Sequence, residues 1–362
     1  MDFYPGETMM TFDLAVNQPV VTQQVQKFES CQGARIFQLP LEAFPGFWVY
    51  AYLVLVDNFQ VLIDAGSGFG VSNDHLEERL RQVAGQVEVE TGLPQLTHVL
   101  ITHGHIDHFG GLSYIHAHSS AQIGVHELDL RNLTNTEERL AIVSRRLDGF
   151  LAEAGIRPDR RLELIELYRM TKLDYVPVPV DFTFNAVGMH LGPFEMLHVP
   201  GHCAGQVVIR LHDVLFSGDH VLSEISPHQA PERLVLNTGL GHYLDSLEAL
   251  REWAVGIRLT LGGHNQPIEH LSSRIDEIQL VHKGRLTHIL DILKTPQTIS
   301  EVSHILFNQV HGYNVLLALE ETGAHVEYLY QHGLLTISNL DELESSNGPL
   351  PIRYQALDYS IN

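Results

Sequence analysis

The chain has 362 residues, enough for one large domain plus a smaller one, and carries 44 Asp and Glu against 22 Lys and Arg. The net charge of −22 and isoelectric point of about 5.4 argue against nucleic acid or an anionic membrane as the main partner, because phosphate recognition needs concentrated Lys and Arg. Its two cysteines, Cys31 and Cys203, are too few for a disulfide framework and suit a reducing compartment.

Residues 1–34 read as an extended lead-in. They lack a basic segment followed by an apolar core, so no signal peptide is expected. The most apolar stretch, 47–56, is too short to cross a bilayer, and a cytoplasmic protein is the simplest expectation. The β-branched and aromatic runs over 34–64 predict two or three paired strands, ending in Val61-Leu62-Ile63-Asp64-Ala65-Gly66. Leu76, Leu80 and Val83 share a face at helical spacing, which predicts a helix over 72–87 with Ser72 or Asn73 as N-cap. A strand over 97–101 follows, then a His-rich loop, a helix near 111–118 and a strand at 122–125. Strands alternating with helices predict helices flanking sheets.

Residues 127–175 break this rhythm. Two charged, amphipathic helices are expected over 128–154 and 160–172, joined at Gly155-Ile156-Arg157-Pro158. They form either a cap over the site, with Tyr168, Met170 and Tyr175 lining a pocket, or a hairpin packed on the surface. Further helices are predicted over 243–253 and 272–293, the latter ended by Pro296, and then over 299–307 and 315–331. A short apolar run at 334–337 precedes a loose tail from 345.

The chemistry concentrates at His103-Gly104-His105-Ile106-Asp107-His108, directly after the apolar run Val99-Leu100-Ile101. On extended backbone His103 and His105 project to one side, and the turn after them can aim Asp107 and His108 at a second point. So many ligand types in so short a span suggest two metals sharing a site. Three further apolar strands end in glycine and then a ligand-type residue: Pro200-Gly201-His202, Ser217-Gly218-Asp219 and Gly262-Gly263-His264. Glycine permits the sharp turn and close approach that a strand-end site needs.

This ordered series resembles the metallo-beta-lactamase fold superfamily over about residues 35–270. The likeness is to its glyoxalase II-like dinuclear hydrolases rather than to the antibiotic-degrading lactamases. The resemblance implies an α/β fold, a four-layer αββα sandwich, as a catalytic domain over 1–284 with a helical insertion at about 127–175. It further implies a small winged-helix-like domain over 285–344 and a tail over 345–362. His103, His105 and His202 would hold one metal, Asp107, His108 and His264 a second, and Asp219 would bridge them. Asp64 would orient ligands without binding metal. The implied cofactors are two divalent metal ions, with zinc expected first and iron or manganese open on an all-N/O ligand set. A bridging hydroxide would attack an ester, lactone or acyl thioester, and Asp107 would act as the catalytic acid–base group. Cys203 is expected to pack rather than ligate, and Tyr243 to sit in the core. Ser223 and His228 are candidates for contact with a small-molecule substrate.

The branch with this C-terminal domain includes endoribonucleases and acyl-carrier-protein thioesterases, so a phosphodiesterase with the same metals is the alternative. Residues 285–344 hold two basic residues, Arg285 and Lys294, against eight acidic ones, which favours packing or homodimer formation over nucleic acid. The basic cluster that holds glutathione in glyoxalase-type enzymes is not recognisable, and the stretch after the third motif reads Cys203-Ala204-Gly205-Gln206.

Overall fold

The computed structural model describes residues 23–170 and 175–357. Most of the predicted lead-in, four residues at the end of the predicted insertion and the last five of the tail lie outside them. Strands β1 (Gln26–Glu29), β2 (Arg35–Phe44), β3 (Phe47–Val56), β4 (Phe59–Ile63), β5 (His98–Leu100), β6 (Gln122–Val125) and β7 (Phe182–Thr183) form a seven-stranded sheet in that order. The first four pair antiparallel through short connections. From β4 onward the pairing is parallel, so each step needs a crossover. Helix α1 (Ser72–Ala84) makes the first. Helices α2 (Ile106–Phe109) and α3 (Leu112–His118) make the second. Helices α4 (Leu130–Thr134), α5 (Thr136–Glu153) and α6 (Pro158–Met170) lie in the third.

A second sheet of five strands contains β8 (His190–Leu191), β9 (Phe194–His198), β10 (Val207–Leu211), β11 (Val214–Gly218) and β12 (Leu259–Gly262), in spatial order β12-β11-β10-β9-β8. Helix α7 (Leu240–Trp253) precedes β12 and α8 (Leu271–Ile292) follows it.

Strand alternation explains the layering. Ile36, Tyr50, Tyr52, Val54 and Ile63 face Phe194, Val207, Ile209, Phe216 and Leu261 of the other sheet. The intervening residues, among them Phe37, Leu39, Val49, Leu53 and Leu62, face Leu76, Leu80, Leu112 and Ile115 of the helices outside. On the far side Val208 and Leu215 pack against Leu247 and Leu250 of α7 and Ile275 and Ile278 of α8. The result is helix, sheet, sheet, helix, the layering that the family resemblance implied. Burial on both faces is why β2 and β3 read as near-continuous apolar runs.

A fourth core joins distant parts of the chain. Leu147, Phe150, Leu151 and Leu164 of α5 and α6 pack with Val302 of α9 (Ile299–Phe307) and with Leu316, Leu319 and Val326 of α10 (Asn314–Gln331). Leu335 of β13 (Leu335–Ile337) and Tyr354 of β14 (Tyr354–Ala356) close it, the two strands pairing antiparallel around α11 (Leu340–Ser345). The end of α8 enters the same core through Ile289 and Leu293, and α8 runs unbroken past residue 284. Local differences from expectation have simple causes. The helix over 128–154 breaks at Asn135, whose backbone is non-helical. Neither Ser72 nor Asn73 caps α1: the N-cap is Val71, and the Ser72 hydroxyl accepts from the Ser67 N–H. Among the described residues no helix is long and apolar enough to cross a membrane, and Cys31 and Cys203 are free.

Candidate metal centre

Every ligand-type residue singled out in the sequence sits just past a strand end. His103 and His105 lie on the loop after β5, with Asp107 and His108 on α2, which that loop opens. His202 follows β9, Asp219 follows β11 and His264 follows β12. The fold brings all seven together in two groups. His103, His105 and His202 form one, and Asp107, His108, Asp219 and His264 the other, with the ligand atoms of each group within 4.8 Å of one another. Asp219 lies between them. Its Oδ2 is 4.0 Å from His103 Nε2, 3.9 Å from His202 Nε2 and 3.3 Å from His264 Nε2, while its Oδ1 is 3.4 Å from His108 Nε2. Asp107 Oδ2 is 3.4 Å from both His108 Nε2 and His264 Nε2.

The imidazoles are held from behind. His202 Nδ1–H donates to the His228 carbonyl at 2.7 Å, and His264 Nδ1–H donates to the Trp48 carbonyl at 2.7 Å. His108 Nδ1–H donates to Asp64 Oδ2 at 2.8 Å. Asp64 also accepts from the Thr102 N–H and hydroxyl, each at 2.8 Å, so one carboxylate ties β4 to the start of the His-rich loop. It does so from a left-handed backbone, φ 60°, which Asp tolerates better than most residues. Fixing the outer nitrogen leaves Nε2 directed at the centre.

Three atoms there test the fit to a cation. His108 Nε2, His202 Nε2 and Asp219 Oδ1 are buried without a hydrogen-bond partner. Buried polar atoms are rarely orphaned, and orphans clustered around one carboxylate fit cations as their missing partners. Gly263 keeps the space open: a Cβ there would fall 2.3 Å from Asp219 Oδ1 and 2.5 Å from His108 Cε1. Burial alone would raise Asp219 and Asp107, but His264 and His108 overcome it and hold both well below the usual carboxylate range. Burial disfavours charge on His264 too, yet Asp219 and Asp107 lift it to about 10, and His108 is likewise raised. His103 and His202 lack a second carboxylate nearby, and burial lowers both.

The sequence model of one family, described as the metallo-beta-lactamase superfamily, matches residues 46–264, the span that contains the whole constellation. The chain belongs to this superfamily. Its members are metal-dependent hydrolases, and this chain is one by family. A metallo-beta-lactamase family protein from Thermus thermophilus is similar in structure at a TM-score of 0.69 and 24% identity, covering 89% of this chain and 98% of that one. A beta-lactamase domain protein from Burkholderia ambifaria is similar at 0.69 and 19% identity, covering 92% and 94%. At these identities the likeness shows the fold. No curated relative matches the chain in sequence.

In this superfamily member the remaining sequence candidates resolve one by one. Tyr243 is a core residue whose hydroxyl donates to the His220 carbonyl. Cys203 is buried, and desolvation together with Asp129 pushes its thiol well above the usual range, so it stays protonated. The Ser223 hydroxyl accepts from the Gln266 N–H and pins the loop after His264. The His228 ring is engaged by Glu320 at 3.1 Å and Glu321 at 3.4 Å, so its backbone serves the centre while its side chain does not face it. Met170 and Tyr175 line a cavity, whereas Tyr168 does not.

Sequence reasoning missed the braces. Buried Asp129 accepts from the Gly104 N–H at 2.7 Å and from Cys203 Sγ at 3.2 Å, joining two ligand-bearing loops. Glu321 accepts from the Gln229 N–H at 2.7 Å and pairs with Arg285 at 2.5 Å. His282, Glu321 and His325 also lie within ligand distance of one another. There, however, the two imidazoles bond each other at 3.0 Å, and Arg285 already supplies the positive charge beside Glu321.

Proposed function

We propose that this protein is a dinuclear metal-dependent hydrolase acting on a small ester, lactone or acyl thioester. The observation that carries the reading is the trio of orphaned buried atoms, His108 Nε2, His202 Nε2 and Asp219 Oδ1, facing one space. His103, His105 and His202 would hold one divalent ion, and Asp107, His108 and His264 the other, with Asp219 shared. Two cations held there supply a field that brings the pKa of a water between them towards ~7 and polarises a carbonyl oxygen. The ligand set is neutral imidazole and carboxylate, which suits zinc first and iron or manganese equally in kind.

The chain's own groups do the rest. Asp107, its Oδ2 between His108 and His264, orients the attacking water and carries a proton from it to the leaving group. Asp64, the Trp48 carbonyl and the His228 carbonyl keep three imidazoles in one tautomer through the cycle. The bulk acidity of the chain supports a small substrate over a nucleic acid. The C-terminal unit, which we read as winged-helix-like, then serves packing or a homodimer.

Metal analysis of the purified protein, combined with a panel of thioester, lactone and bis-p-nitrophenyl phosphate substrates, tests the proposal. About two equivalents of metal and turnover of carboxylic substrates are expected. Turnover confined to the phosphodiester would replace this reading with the phosphodiesterase one.

A further inference from the structure

Beside the candidate centre is a cavity of about 470 Å³, within the usual range for a small-molecule site. Its lining is gathered from distant parts of the chain. Phe44 comes from β2, Phe69 from the loop after Asp64, Ile106 from α2, Leu167 and Met170 from α6, and Tyr175 from just before β7. Among the described residues, no Asp, Glu, Lys, Arg or His lines it, in a chain of net charge −22. The Tyr175 hydroxyl is already committed to the Leu133 carbonyl at 3.1 Å, which leaves its ring as the contact surface. Phe69 and Met170 are 46% and 66% exposed, so a hydrocarbon seated in the cavity would cover apolar surface that faces water.

Two connections tie this cavity to the metal centre. Ile106 stands between His105 and Asp107 in sequence, so the helix that carries ligands also lines the cavity. A series of rings bridges the same gap. Phe69 meets Phe44 with centroids 5.8 Å apart, Phe44 meets Phe47 at 6.3 Å, and Phe47 meets the His264 imidazole at 5.0 Å.

Resting on the hydrolase reading above, we infer that this cavity receives the acyl chain of the substrate, and that the preferred class is an ester or thioester of a medium-length hydrocarbon acid. A charged acyl group would lose its hydration here and find no charged partner among the described lining residues in return. An apolar chain loses nothing and removes its own surface and that of Phe69 and Met170 from water. The carbonyl then lies towards Asp107 and His264, and the polar leaving group points away from the apolar lining.

The test uses the metal-loaded full-length protein and p-nitrophenyl acetate, butyrate, hexanoate and octanoate. Each added methylene is expected to raise kcat/KM by about three- to fourfold until the cavity is filled. Two variants probe the walls. Ser113→Phe fills the cavity and Met170→Asp sets a carboxylate at an exposed position the fold tolerates. Each is expected to cut the octanoate-to-acetate ratio of kcat/KM by about tenfold or more. Should Ser113→Phe fail to fold, Met170→Asp alone decides. A second readout needs no turnover: calorimetric titration of 1-octanol into metal-free protein should show binding that the variants weaken.

Equal kcat/KM along the series, with the esters still hydrolysed, overturns the acyl-chain inference and leaves the hydrolase reading standing. Octanol binding unaltered in the variants overturns it as well. Octanol binding weakened by the variants, with no ester hydrolysed under any divalent metal, keeps the apolar cavity and overturns the hydrolase reading instead.

Discussion

At the scale of single residues, the centre depends on one shared carboxylate and on a missing methyl group. Asp219 is the residue whose two oxygens reach both His groups, so Asp219→Ala should lose bound metal and hydrolysis together. Elemental analysis and turnover on the same preparation check it, and full turnover in that variant would refute the assignment. Gly263 makes a different contribution. Its Cα is where a Cβ would collide with Asp219 and His108, neither of which can swing away because both are buried. Gly263→Ala should therefore cost about 1–3 kcal/mol and displace both ligands. A lowered melting temperature with reduced metal content is expected, and unchanged metal affinity would count against the geometry. The ligand residues were legible in the sequence because each follows the same local rule, an apolar strand that ends in glycine or a turn. Trp48 and His228 were not, because they act through backbone carbonyls, which every residue possesses.

At the scale of elements, α10 is a structural partner of the catalytic loops. It lies outside the family match over 46–264, yet Glu321 takes the Gln229 N–H and Arg285, and Glu320 takes the His228 ring. A third carboxylate of the same helix, Glu327, accepts from the Glu232 N–H at 2.7 Å. Together they hold the stretch whose His228 carbonyl orients His202. Removing Glu321 leaves the largely buried Arg285 side chain without its partner, so Glu321→Ala should destabilise by about 3–5 kcal/mol. Glu321→Gln, which keeps an oxygen for the Gln229 N–H, should fall between it and the wild type. Thermal melts paired with metal stoichiometry check this. Metal retained at wild-type affinity in both variants would show that α10 does not support the centre. The insertion has a related explanation. Its helices share a core with α9 and α10, and of its described residues only the end of α6 and Tyr175 reach the cavity. Amphipathic periodicity announced those helices but could not say which partner their apolar faces would find.

At the scale of the whole molecule, stability should follow a dome in pH. Burial holds His126 at about 4, and burial with neighbouring groups puts His282 at about 3 and His325 at about 4, all below the ~6.5 of an unfolded chain. The unfolded state thus binds more protons than the folded state between those values. Stability contributed by these residues is complete above ~6.5 and is lost as pH falls towards 4. His228 has the opposite sign. Burial opposes its charge, but Glu320 and Glu321 raise it to about 9, so its contribution is complete below ~6.5 and lost as pH rises through 9. Urea midpoints should therefore peak near pH ~6.5 and fall on either side. A midpoint as high at pH 4.5 as at pH 7.5 would contradict the neutral buried histidines. From sequence alone one could read paired strands leading to Asp64, the alternation of strands and helices after them, and the seven side chains fit to hold metal. These are local or periodic signals, written within a few residues of one another. Only the tertiary structure decided that Asp129, Glu320 and Glu321 brace those side chains, that the insertion and the C-terminal helices share one core, and that an apolar cavity opens beside the centre. Each of these depends on contacts between segments far apart in the chain, whose pairing leaves no pattern within either segment by itself.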